Sequence, residues 1–151
     1  MTATEDGIEM CSVRVCDKLF GVPITGILEI LDKPVTRPVP LAPPHIGGLV
    51  HYRGEILTAV SLRSLLGLSG HSRPPDMLVF EGRDGYFGLL VDAVGEVLTV
   101  ARREFEPSPS ILDDRKRALF AGTYKLSDAL MVVLDPGTFD PVRLSQIQLS
   151  Q

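Results

Sequence analysis

The stretch Ile46–Leu68, IGGLVHYRGEILTAVSLRSLLGL, decides the reading of this chain. Gly47-Gly48 gives it a flexible start. Leu49 and Val50 begin an apolar strand that stops at Tyr52-Arg53-Gly54-Glu55, where a glycine in third place suits a tight turn needing φ > 0. The next strand, Ile56 to Val60, is apolar at nearly every position, which implies burial on both faces. Ser61 is a good helix N-cap, Leu62 to Leu66 gives one helical turn, and Gly67 is a C′ stop. A hairpin, a buried strand and a capped turn make the corner of a small β-barrel.

Outward from that corner the chain reads as strands and turns. Twelve prolines and fourteen glycines among 151 residues leave few long helical periods. Strands are expected at Ile8–Val15, Leu19–Ile24, Ile27–Leu31, Met77–Phe80, Tyr86–Val91 and Val94–Val100. A last hairpin is expected from Leu119–Leu126 and Ala129–Leu134. Asp32 to His45 carries five prolines and reads as an extended crossover. Ala101 to Arg117 reads as a second, charged crossover, with Asp113 to Arg117 as a solvated run. Pro136, Gly137 and Pro141 are expected to break any later element. The organisation expected is a frayed segment 1–7, one domain over 8–140 and a polar tail over 141–151.

An internal repeat sets the architecture. FGVPITGILEIL (Phe20–Leu31) matches FGLLVDAVGEVL (Phe87–Leu98), with Phe20/Phe87, Gly21/Gly88, Glu29/Glu96 and Leu31/Leu98 identical. A proline-bearing crossover follows each copy, and a glycine-opened hairpin follows each crossover, Gly48 to Val60 and Gly122 to Leu134. An N-cap type, Ser61 or Asp135, closes each. Strands this short cover both their faces best as closed barrels. The fold expected is all-β with one or two short helical turns: two SH3-like five-stranded barrels side by side.

A net charge of −4 with scattered basic residues argues against nucleic acid or an anionic membrane as main partner. No signal peptide precedes the first strand, and the longest apolar run is too short to span a bilayer, so a cytoplasmic, reducing compartment fits. Cys11 and Cys16 sit on opposite sides of a strand and read as packing residues. His45, His51 and His71 have no metal-ligand spacing. Ser61 lies in no nucleophile elbow, and Gly82 and Gly85 flank a hairpin, not a phosphate-binding helix start. No cofactor and no catalytic set is expected.

These residues resemble the CheW-like family, the adaptors of bacterial chemotaxis arrays and the related regulatory domain of their histidine kinase. ILEIL (Ile27–Leu31), VTRPVPLAPPHIGGLVHYRG (Val35–Gly54), ILTAVSLRSLLG (Ile56–Gly67) and FGLLVDAVGEVL (Phe87–Leu98) carry the resemblance. It implies a non-catalytic adaptor with two partners, the regulatory domain of a CheA-type histidine kinase and the cytoplasmic tip of a chemoreceptor. Arg53, at the family's Arg-Gly tip, is implied in receptor and array contacts, with Ile27, Glu29 and Ile30 as part of a surface for the kinase or receptor. Leu89, Val91 and Val94 are implied as aliphatic anchors for a receptor helix in a groove between barrels. Asp92, inside an apolar run, is read as a structural hydrogen-bonding group. The chain departs from the family pattern at His51-Tyr52, where Asn-Leu is usual, and at Ser61, where Asp is usual. Other readings stay open: an adaptor of type IV pilus or gliding motility or another output, a divergent copy that keeps only one partner, or, remotely, a small β-barrel enzyme.

Overall fold

The computed structural model describes residues 7–68, 74–107 and 119–144. Among these, eleven strands form two sheets. The first sheet has six strands in the order β8 (Ala93–Ala101), β1 (Gly7–Val15), β2 (Lys18–Pro23), β11 (Leu130–Leu134), β10 (Phe120–Lys125) and β9 (Phe105–Pro107). The second has five: β3 (Glu29–Leu31), β6 (Asp76–Gly82), β7 (Gly85–Val91), β5 (Glu55–Ser61) and β4 (Ile46–Tyr52). One short helix, α1 (Leu62–Leu65), follows β5. Expectation and structure agree on a mostly-β fold in two units. The sixth strand is the short β9, which lies inside the expected second crossover.

The repeat is exact in register and crossed in space. Leu31 of β3 faces Met77 of β6, and Leu98 of β8 faces Met10 of β1, the same pairing in each copy. The hairpin β4–β5 of the first copy runs parallel to β7 of the second, with Thr58 beside Phe87 and Ala59 beside Gly88. The hairpin β10–β11 of the second copy runs parallel to β2 of the first, with Val132 beside Phe20 and Val133 beside Gly21. Both hairpins carry a register shift at their glycine, between Ile46 and Gly48 and between Phe120 and Gly122. Each sheet is therefore built from both copies, and neither half is a separable segment of chain.

Burial follows from this crossing. Met10, Val100, Tyr124, Met131 and Val133 fill the six-stranded unit. Val50, Tyr52, Leu57, Ala59, Met77, Val79 and Leu90 fill the five-stranded one. A third cluster lies between them and includes Val13, Phe20, Val22, Val60, Leu78, Phe80, Phe87, Leu89 and Val91. Strands β1, β2, β6 and β7 thus turn one face to a unit's own core and the other to the shared cluster. That is why MLVF and FGLLV read as unbroken apolar runs.

Several local expectations change. The strand expected to reach Ile24 ends at Pro23, and Ile24–Gly26 forms a 3₁₀ turn, so β3 keeps only Glu29–Leu31. Ile56 is not buried but 61% exposed, because it pairs with His51 of the edge strand β4 next to the hairpin tip. Pro141 does not break the chain. Residues 141–144 form a helical turn with Pro141 at its first position, where the missing N–H costs nothing. Asp140 caps it by accepting from the Val142 N–H at 3.0 Å, and Leu144 is buried in the shared cluster with Phe139. Asp113 to Arg117 and His71 lie outside the described residues. No helix among the described residues is long and apolar enough to cross a membrane.

Candidate functional site

The β4–β5 tip is a two-residue turn with φ +52 at Arg53 and +78 at Gly54, the geometry of a type I′ hairpin. This turn lifts Arg53 off the edge of the five-stranded sheet. The sheet curls so that its other edge, β3, reaches the same tip. Arg53 and Glu29, nominated from separate motifs, meet there: an Arg53 terminal nitrogen lies 3.2 Å from Glu29 Oε1. Their side chains are 68% and 38% exposed, so the pair is a surface contact of small net stabilisation.

Tyr52 joins them, and the sequence reading missed its role. Its hydroxyl donates to the same Glu29 Oε1 at 2.8 Å. Its ring packs edge-on against Tyr86 with centroids 5.2 Å apart, and the Arg53 guanidinium carbon lies 5.4 Å from the Tyr52 ring centre. The hydrogen bond to Glu29, and then burial, push the Tyr52 hydroxyl above its usual range, while Arg53 pulls the other way. The signal was available: Tyr52 follows Val50 at the inward period of β4, and a buried tyrosine needs a partner for its hydroxyl.

Around this cluster, Leu28 and Ile30 flank Glu29 on β3 and are 49% and 47% exposed. Ile27 is half-buried against the shared cluster. Leu89 and Val91 are buried, since β7 is interior to its sheet and covered on both faces, so no partner side chain reaches them directly. They are core residues. Val94 is half-buried and lines a cleft of about 790 Å³ between β8 and the β10–β11 tip, together with Glu96, Leu126, Ser127 and Asp128. A second, more apolar groove of about 510 Å³ runs between β2, β11 and the end of α1, lined by Leu19, Phe20, Leu66, Phe120, Leu130 and Val132.

Asp92 is structural, as read. Its carboxylate accepts from the Cys16 backbone N–H at 2.7 Å and from Arg63 Nε at 3.2 Å, with a second Arg63 contact to its other oxygen. It ties the β1–β2 turn to α1 across the join of β7 and β8. The hydrogen bond from Arg63 to Asp92 raises the guanidinium further above its already high range. Ser61 caps α1 by accepting from the Ser64 N–H at 3.2 Å, and Asp135 accepts from the Gly137 N–H at 3.3 Å at the equivalent place. His45 is buried and His51 exposed. Among the described residues no group of three or more His, Cys, Asp or Glu side chains is arranged to hold a metal.

Comparison with known proteins fits this geometry. Residues 9–139 match the family model described as the CheW-like domain. The chain is 30% identical over 134 residues to the chemotaxis protein CheW of Rhizobium meliloti, covering 87% of this chain and 86% of that one. It is 29% identical to the chemotaxis protein CheW of Helicobacter pylori, over 86% of this chain and 79% of the relative. The fold superposes on the crystal structure of the scaffolding protein TtCheW from Thermoanaerobacter tengcongensis with a TM-score of 0.79, at 23% identity over 89% of this chain and 92% of that one. With the family model spanning residues 9–139, most of its length, the chain belongs to the CheW-like domain family.

Proposed function

We propose that this protein is a non-catalytic cytoplasmic adaptor that couples chemoreceptors to a CheA-type histidine kinase in chemotaxis signalling. The observation that carries the reading furthest is the Arg53–Glu29 pair, held in solvent at a hairpin tip beside bare Leu28 and Ile30. A charged anchor with exposed aliphatic neighbours suits a specific, reversible protein contact. The kinase's regulatory domain meets this end through Glu29, Ile30 and Arg53, with Ile27 as half-buried support. The receptor's helical tip lies along the apolar groove formed by Phe20, Leu66, Phe120, Leu130 and Val132, a helix-in-groove contact. Val94 faces the neighbouring cleft, and Leu89 and Val91 support these surfaces from inside. Signalling then needs only a few kcal/mol of differential contact between kinase states.

Calorimetric titration with the regulatory domain of the kinase from the same genome tests this. Saturable one-to-one heat, weakened in Arg53→Ala and Glu29→Ala, is the expected result. Heat that both variants leave unchanged would move the contact elsewhere on the surface. Absence of heat with the wild-type protein would refute the coupling role.

A further inference from the structure

Two donors converge on one acceptor at the β4–β5 tip. Tyr52 Oη and an Arg53 terminal nitrogen both donate to Glu29 Oε1, at 2.8 and 3.2 Å. They differ in every other respect. The Tyr52 ring is buried and fixed at 88° to the Tyr86 ring, while the Arg53 side chain stands in solvent. A partly buried carboxylate without a donor is costly, so a carboxylate held by arginine alone gives that arginine up reluctantly. Here the tyrosine keeps the carboxylate satisfied when the arginine leaves.

The second copy of the repeat has no such arrangement. Leu126 and Ser127 occupy the tip positions of Tyr52 and Arg53, closed by the Leu126 N–H donating to the Ala129 carbonyl at 2.8 Å. The device therefore exists at one end of a pseudo-symmetric molecule. Tyr52 also stands where the resemblance to the family leads one to expect leucine.

We propose that Tyr52 is a positioning residue for partner recognition. Its hydroxyl retains Glu29 while Arg53 exchanges Glu29 for a carboxylate presented by the partner. Its ring keeps the guanidinium at the tip during the exchange. Arginine's planar fork suits the second carboxylate as well as the first. The identity of the partner as the kinase domain rests on the adaptor reading above; the shared carboxylate does not.

The test is a double-mutant cycle with Tyr52→Phe, Glu29→Gln and the double variant, each checked for a native circular dichroism spectrum. Tyr52→Phe leaves Glu29 to Arg53 alone and is expected to weaken binding to the kinase regulatory domain about two- to fivefold, although Arg53 is intact. In the Glu29→Gln background, itself weakened because Glu29 meets the partner, adding Tyr52→Phe is expected to cost no further affinity. A purely structural tyrosine predicts the same loss in either background. In the free proteins, guanidinium N–H exchange at Arg53, followed by nuclear magnetic resonance, is expected to slow in Tyr52→Phe and quicken in Glu29→Gln. Unchanged affinity in Tyr52→Phe, or an equal loss when Tyr52→Phe is added to Glu29→Gln, would overturn the proposal. Should the wild-type protein not bind the kinase domain, the adaptor reading falls and the exchange rates still decide: equal rates in wild type and Tyr52→Phe would refute the shared carboxylate.

Discussion

Asp140 offers the sharpest test of how the chain end is anchored. Its carboxylate is buried and accepts from two backbone donors, the Arg83 N–H at 2.8 Å and the Val142 N–H at 3.0 Å. The first bond holds the β6–β7 turn and the second starts the 141–144 turn. A Cβ added at Gly82 would lie 2.5 Å from Asp140 Oδ2, so the carboxylate occupies space only a glycine leaves. Asp140→Ala removes both acceptors and opens a void beside Gly82. Each half-buried donor left without a partner costs about 1–1.5 kcal/mol, giving about 2–3 kcal/mol in all. For a chain of this size that lowers Tm by about 4–12 °C. Asp140→Asn keeps one acceptor oxygen and is expected to fall between wild type and alanine. Thermal unfolding followed by circular dichroism measures all three proteins. If Asp140→Ala stays within about 0.5 kcal/mol of wild type, the carboxylate is not an anchor, and the burial of Leu144 and Phe139 must hold the end alone.

Three further outcomes are expected. Leu89→Ala should cost about 2–5 kcal/mol in urea unfolding, while Ile30→Ala should change stability by less than about 0.5 kcal/mol and act only on partner binding; the reverse order would overturn the assignment of core and surface. Gly48→Ala should destabilise by about 2–4 kcal/mol, because φ is +145 and a new Cβ would meet the Arg37 carbonyl oxygen at 2.7 Å, and a native-like unfolding midpoint would refute this. Burial pushes the His45 imidazole below its usual value of 6.5, so the unfolded chain takes up a proton that the folded chain refuses. Stability from neutral His45 is therefore complete above that pH and lost as pH falls below it. The gap between wild type and His45→Gln in unfolding midpoint should shrink on going from about pH 7.5 to about pH 5.5, and a constant gap would contradict the burial argument.

The sequence was most legible where one residue type has one physical use. Gly54 in a tip, Gly67 after a helical turn and Ser61 before it lie where their backbone chemistry places them, with φ +78, φ +73 and a bond from the Ser64 N–H. The repeat gave the order of elements in each copy, because strand, proline-bearing crossover, glycine-opened hairpin and N-cap residue recur together. It could not show that each hairpin joins the other copy's strand, since parallel pairing of β2 with β11 and of β5 with β7 leaves no local pattern. Leu89 and Val91 misled for a related reason. An unbroken apolar run says that both faces are covered, not whether the cover is the chain itself or a partner. Pro141 was read as a breaker, although the same ring is harmless at the first position of a turn once an aspartate caps it.

The site shows the same limit from the other side. Glu29 and Arg53 were each legible from a motif, and their contact was not, because it exists only when β3 and the β4–β5 tip close on one another. Tyr52 carries that closure and stood out only as a departure from the family pattern. The two tips of the fold are equivalent in backbone and unlike in chemistry, Tyr52-Arg53 at one and Leu126-Ser127 at the other. A partner built on the same repeat could dock at either end of a symmetric molecule. Placing a guanidinium at one tip and a serine at the other makes docking at the two ends unequal in energy, so a partner that needs the arginine selects one end.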